Sequence, residues 1–268
     1  MFVIKPKILR LDCMRKLLFI LLVIPFLSMG QSENNAKTIH VFVALCDNVN
    51  QGIVPVPKKL GNGQDVNSNL YWGAMYGVKA YFKRSKDWVL LSTTLNPKEN
   101  ILERLLFKHK MSNTYLLADA YNGKYIRQTT IDFLEANAGN NGIKIEYNSN
   151  ELCFGGDANL LSYVGHDGLM EFEVEGRFTP SNTSKRDAII LACISKNYFK
   201  SYLEKTQSNP LVWTTGLMAP EAYTLKSAID GWILNETDLQ IRERAAQAYH
   251  KYQKCGIRGA RNLLVTGY

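Results

Sequence analysis

Short apolar and β-branched runs separated by amphipathic segments constrain the fold of this 268-residue chain more than any other feature. The runs "TIHVFVAL" (38–45), "DWVLLSTTL" (87–95), "TYLLADAY" (114–121), "IKIEY" (143–147), "NLLSYV" (159–164), "DAIILACIS" (187–195) and "PLVWTTG" (210–216) have the length and composition of strands. Between them, helical spacing predicts helices over 70–84, 125–139, 196–207 and 219–233. Asn96 followed by Pro97 predicts a further one over 96–110, as a cap and a first helical residue. Thr237 and Gln240 form a capping box for a last helix that stops before Gly256. "MEFEVEG" (170–176) reads as the return strand of a hairpin. Strands alternating with helices predict an α/β three-layer sandwich, with helices on both faces of a mainly parallel sheet.

The first thirty residues have a different character. Arg15 and Lys16 precede the apolar run "LLFILLVIPFL", and Ser28 and Gly30 stand at the −3 and −1 positions of a cleavage site. Residues 1–30 therefore read as an export signal, with Met14 as an alternative start, and residues 31–268 as a single α/β domain with a C-terminal helix. The destination is periplasm, cell surface or medium, and no membrane span is expected in the mature chain. Removing the segment takes away Lys5, Lys7, Arg10, Arg15, Lys16 and Asp12, and lowers the formal net charge from +8 to +4. The remaining bases are not interleaved with aromatics, which argues against nucleic acid as a partner. Cys13 leaves with the signal. Cys46, Cys153, Cys193 and Cys255 remain, an even number that allows three disulfide pairings in an oxidising compartment.

In parallel sheets, ligands and catalytic groups gather beyond the carboxyl ends of the strands. Cys46 and Asp47 end the first strand, Asp119 ends the third, and His166 and Cys193 stand where their strands run out. A nucleophilic thiol requires a base or a positive potential to become thiolate, and an imidazole on the adjacent strand about 5 Å away meets that need. The helix after Cys193 adds its N-terminal dipole. The backbone N–H groups of Gly168 and Cys193 are candidates for stabilising an oxyanion. His40, His109 and His250 have no ligand partners at metal spacing, and neither a metal nor an organic cofactor is expected.

An apolar strand ending in His and Gly, "LSYVGHDG", followed by an apolar strand ending in Ala-Cys, "AIILACIS", resembles the caspase-like peptidase clan. Caspases, metacaspases, legumain, gingipain, clostripain and separase belong to it. The resemblance spans most of residues 38–235. It implies a caspase-like six-stranded sheet and a cysteine endopeptidase acting on protein or peptide substrates. His166 is then the acid/base, Cys193 the nucleophile, and an acyl-enzyme the intermediate. Asp167 follows His166 where the clan has glycine, so Gly168 comes second. Asp47 resembles, loosely, the acidic residue lining the metacaspase pocket for a basic P1 side chain. Its other reading is a cap that binds the backbone of its own loop. Lys185-Arg186, between the two dyad residues, reads as an exposed processing site. The alternative to the peptidase is a secreted binding or structural module with Cys193 in a disulfide.

Overall fold

The computed structural model describes residues 1–3 and 36–268. The expected export signal thus lies almost wholly outside the described residues, as does Cys13. Five strands form the parallel centre of the sheet. β1 (Lys37–Ala44) lies between β4 (Thr114–Tyr121) and β7 (Leu160–Val164), and β8 (Asp187–Leu191) and β9 (Asn209–Thr214) continue outward from β7. These strands are buried almost throughout, which is why they read as continuous apolar runs.

The sheet is nonetheless mixed and eight-stranded, where six mainly parallel strands were expected. β2 (Trp88–Lys98) and β3 (Ile101–His109) add an antiparallel hairpin beside β4, and the short β10 (Leu264–Val265) adds an antiparallel strand beside β9. β3 replaces the helix expected over 96–110. Asn96 has φ of 49° and sits with Pro97 at a register shift in β2, among the described residues an edge strand, where proline costs no ladder hydrogen bond. The run "ILERLLF" has helix-like apolar spacing because β3 is covered on both faces. Leu105 and Phe107 pack against one layer, and Leu106 lies beneath the hairpin of β5 (Ile143–Tyr147) and β6 (Asn150–Phe154).

The side chains of β1 divide the interior. Ile39, Val41 and Val43 face α1 (Val78–Arg84), α4 (Ala222–Ile233) and α5 (Asp238–Gln253), whereas Phe42 and Ala44 face α2 (Ile126–Asn137) and α3 (Ser195–Thr206). The result is a three-layer α/β sandwich within a unit spanning Ala36–Tyr268. α5 begins at the expected capping box, with Thr237 accepting from the Gln240 N–H and Gln240 accepting from Thr237. α6 (Ile257–Leu263) leads into β10. The predicted helix over 70–84 is regular only over α1; residues 70–77 are a series of turns. "MEFEVEG" forms no strand. After a 3₁₀ turn at Gly168–Met170 the chain from 171 to 178 is an irregular loop whose Val174 and Phe178 anchor it in the core beside α2 and α3. Trp72, Trp88, Trp213 and Trp232 are all buried. Among the described residues no helix is long and apolar enough to cross a membrane.

Candidate functional site

β7 and β8 run parallel with Val164 opposite Leu191, so two residues further on His166 and Cys193 occupy matching positions above the ends of neighbouring strands. The Gly165 N–H donates to the Leu191 carbonyl at 3.2 Å and holds the two exits together. Gly165 has φ of 150°, and a Cβ there would stand 2.7 Å from the Ala44 carbonyl oxygen. Only glycine lets the chain turn over β1 at this point. Gly165→Ala is therefore expected to lower stability by about 1–3 kcal/mol, read from urea unfolding, through backbone strain.

His166 is 7% exposed. Its backbone carbonyl accepts from the Tyr163 hydroxyl at 2.8 Å, and its Nε2 is hydrogen-bonded to Glu171 Oε1. Among the described residues its Nδ1 has no hydrogen-bond partner, and no hydrogen bond joins His166 to Cys193. The same Glu171 oxygen accepts from the Gly52 N–H at 2.6 Å, tying the loop after β1 to the loop after β7. The strand-like pattern of "MEFEVEG" hides Glu171 in the sequence, since a strand would carry it away from His166. The one signal was a carboxylate five residues beyond the histidine, across a turn.

Cys193 is half-buried. Its thiol lies 3.6 Å from the Met218 carbonyl, and its sulfur accepts from the Met218 N–H at 3.4 Å. Burial pushes the thiol above its ordinary value; the Met218 N–H opposes that and the charge of Asp167 reinforces it. α3, which begins at Ser195, places its N-terminal end two residues after the thiol. Tyr71 is buried nearby. After burial itself, Cys46 and then Cys193 push its phenol further up. Cys46, Cys153, Cys193 and Cys255 are all free thiols, so none of the three pairings that their number allows, nor the Cys193 disulfide of the alternative reading, is formed. Among the described residues the backbone N–H groups of Gly168 and Cys193 have no protein acceptor.

Asp167 turns its side chain inward. It is fully buried, its Oδ1 accepts from the Leu169 N–H at 3.0 Å, and among the described residues its Oδ2 has no partner. Burial first, and then the charge of Glu171, outweigh that hydrogen bond and push its carboxyl up to about 7.

Asp47 is buried and engaged within its own loop. Oδ1 accepts from the N–H groups of Val49 and Asn50, and Oδ2 from the side-chain amides of Asn50 and Gln64. The cap reading of its sequence position is thus realised. The rest of the long loop is fastened in the same way. Asn69 joins the Cys46 backbone at both N–H and carbonyl, and Gln51 donates to the carbonyls of Leu45 and Gly123.

Two expectations fail on burial. Asp119 is not at the sheet edge with the others. It points into the interior, where it binds His40 Nε2 at 3.0 Å and Arg104 at 2.7 and 2.6 Å. Arg186, read as part of an exposed processing site, is 3% exposed. Its guanidinium donates to the carbonyls of Gly156 and Ser184 and to the Asn182 side chain, pinning the loop that ends at β8.

Comparison of the chain with protein-family models, with curated proteins and with solved structures gave no match.

Proposed function

We propose that the chain is a cysteine endopeptidase of caspase-like type, using His166 and Cys193 to cleave polypeptides through an acyl-enzyme. The observation that carries this reading is the register-matched exit of β7 and β8, which brings an imidazole and a free thiol to adjacent strand ends. The proton passes from Cys193 Sγ to His166 as sulfur attacks the scissile carbonyl. The N–H groups of Gly168 and Cys193 are free to receive the developing oxyanion. His166 then returns the proton to the leaving amine, and water, deprotonated by the same imidazole, releases the acyl group. A basic P1 side chain reaching Asp47 would have to displace the amide of Asn50 or Gln64 from its Oδ2.

The test is cleavage of a mixed peptide library by the full chain and by Cys193→Ala and His166→Ala. Turnover that falls at least about 10³-fold in both variants is the expected result, since removing one member of a cooperating set removes its action. Turnover retained by Cys193→Ala, or its absence from the unmodified chain, would overturn the reading. The same library profile reports the P1 preference.

A further inference from the structure

We propose that Glu171 is the positioning residue of this site, fixing the His166 tautomer so that Nδ1 presents a lone pair to Cys193. The inference rests on the hydrolase reading above and adds to it a residue outside the dyad.

A carboxylate only accepts hydrogen bonds. In the neutral imidazole the nitrogen facing Glu171 must therefore carry the proton, which leaves the other as the acceptor. The nitrogen facing Glu171 Oε1 is Nε2, and Nδ1 is the one with no protein partner among the described residues. The direction of the ring is set from three sides. Gly165 turns the chain off β7, the Tyr163 hydroxyl holds the His166 carbonyl, and Glu171 holds the ring.

The inserted Asp167 has a place in this arrangement. It is the N-cap of the turn Gly168–Met170, and the Glu171 N–H closes that turn onto the Gly168 carbonyl at 2.9 Å. The turn reverses the chain and brings the carboxylate at position 171 back beside the imidazole at position 166. Because Oε1 also accepts from the Gly52 N–H, the orientation of the ring is coupled to the loop 46–69. In the proton transfer itself, the proton leaves Sγ for Nδ1, giving thiolate and imidazolium, and none passes to Glu171. Its part is to hold Nε2–H and to face the positive charge that forms.

Two measurements on the full chain test this. Nitrogen-15 NMR of histidine-labelled protein is expected to show His166 as the Nε2–H tautomer, and Glu171→Ala is expected to abolish that preference. In peptide hydrolysis, Glu171→Ala is expected to lower kcat by about 10²–10⁴-fold with little change in KM, by analogy with loss of the orienting acid of a triad. Glu171→Asp, which keeps the carboxylate, should recover part of the loss, and Glu171→Gln should recover less. Thermal melts identify any variant that has lost its fold; should Glu171→Ala be one, Glu171→Met, which keeps the length of the side chain without an oxygen acceptor, carries the comparison. An unchanged tautomer, or full kcat, in folded Glu171→Ala would overturn the proposal. If the unmodified chain cleaves no peptide, the hydrolase reading falls. The tautomer comparison still decides the role of Glu171: loss of the preference in the variant supports it, and retention overturns it.

Discussion

Replacing Asp119 with alanine is expected to lower the stability of the domain by about 3–5 kcal/mol, the usual consequence of removing one partner from a buried charge pair. Asp119 on β4 stands directly opposite Arg104 on β3, and His40 reaches it from β1, so one carboxylate joins three neighbouring strands. Burial pushes its carboxyl up, but the Arg104 and His40 hydrogen bonds outweigh burial and hold it below the ordinary carboxylate range. His40 is fully enclosed; burial lowers its pKa against the pull of Asp119, and its Nδ1 accepts from the Gly155 N–H at 3.2 Å. Without Asp119, the guanidinium loses its bidentate partner and the imidazole N–H is buried without an acceptor. Urea unfolding of Asp119→Ala and of the double variant Asp119→Ala/Arg104→Met measures the effect. The double variant should recover part of the loss, because it removes the stranded charge. A loss under about 1 kcal/mol, the range of a surface pair, would show that the cluster is not a structural centre.

The second large effect concerns pH. The folded chain holds the Asp167 proton up to about 7, against 3.8 for an ordinary aspartate. Below pH 3.8 the group is protonated whether folded or not and does not penalise folding. Between 3.8 and about 7 only the unfolded chain ionises, so stability falls as pH rises. Above about 7 the penalty is constant, at up to about 4 kcal/mol for a shift of this size. Asp167→Asn removes the titration and keeps an acceptor for the Leu169 N–H. Its stability relative to the unmodified chain should therefore rise between pH 4 and pH 8, by an amount approaching that figure. Iodoacetamide labelling of Cys193 gives a second reading at the site. Because the Asp167 charge pushes the Cys193 thiol up, labelling at pH 8 should be severalfold faster in the variant. Parallel pH–stability curves for the two proteins would contradict the assignment.

Much of the sheet was legible in the linear pattern. β1, β4, β7, β8 and β9 are parallel strands buried on both faces, and such strands appear as unbroken apolar runs whatever their neighbours. The helices α2 to α5 were legible for the complementary reason: one face of each is apolar at helical spacing, and α5 carries its own capping box. β3 was misread because Asn96-Pro97 mimics a helix start and because both its faces are covered, so its apolar residues do not alternate. The hairpin of β5 and β6 supplies that cover, and no residue within β3 encodes its presence. The loop 46–69 looked irregular and is irregular. What fastens it, the side chains of Asp47, Asn48, Gln51 and Asn69, is a set of short polar groups that could equally have been solvated.

The candidate site divides along the same line. The sequence by itself determined that an imidazole and a thiol leave two apolar strands at comparable points, because strand ends and the glycine at 165 are local properties. Tertiary structure alone decided their surroundings. It turned Asp167 inward as the cap of a turn, returned Glu171 to the imidazole, spent Asp47 on its own loop, and drew Asp119 and Arg186 into the interior. The places of Glu171, Asp119 and Arg186 depend on a polar atom finding its partner across the fold, as Glu171 finds the Gly52 N–H, Asp119 finds His40 and Arg186 finds the Gly156 carbonyl. Burying a polar group without such a partner costs stability. No spacing along the chain specifies that partner, because the pairing is fixed only when the packed strands and loops bring the two groups together.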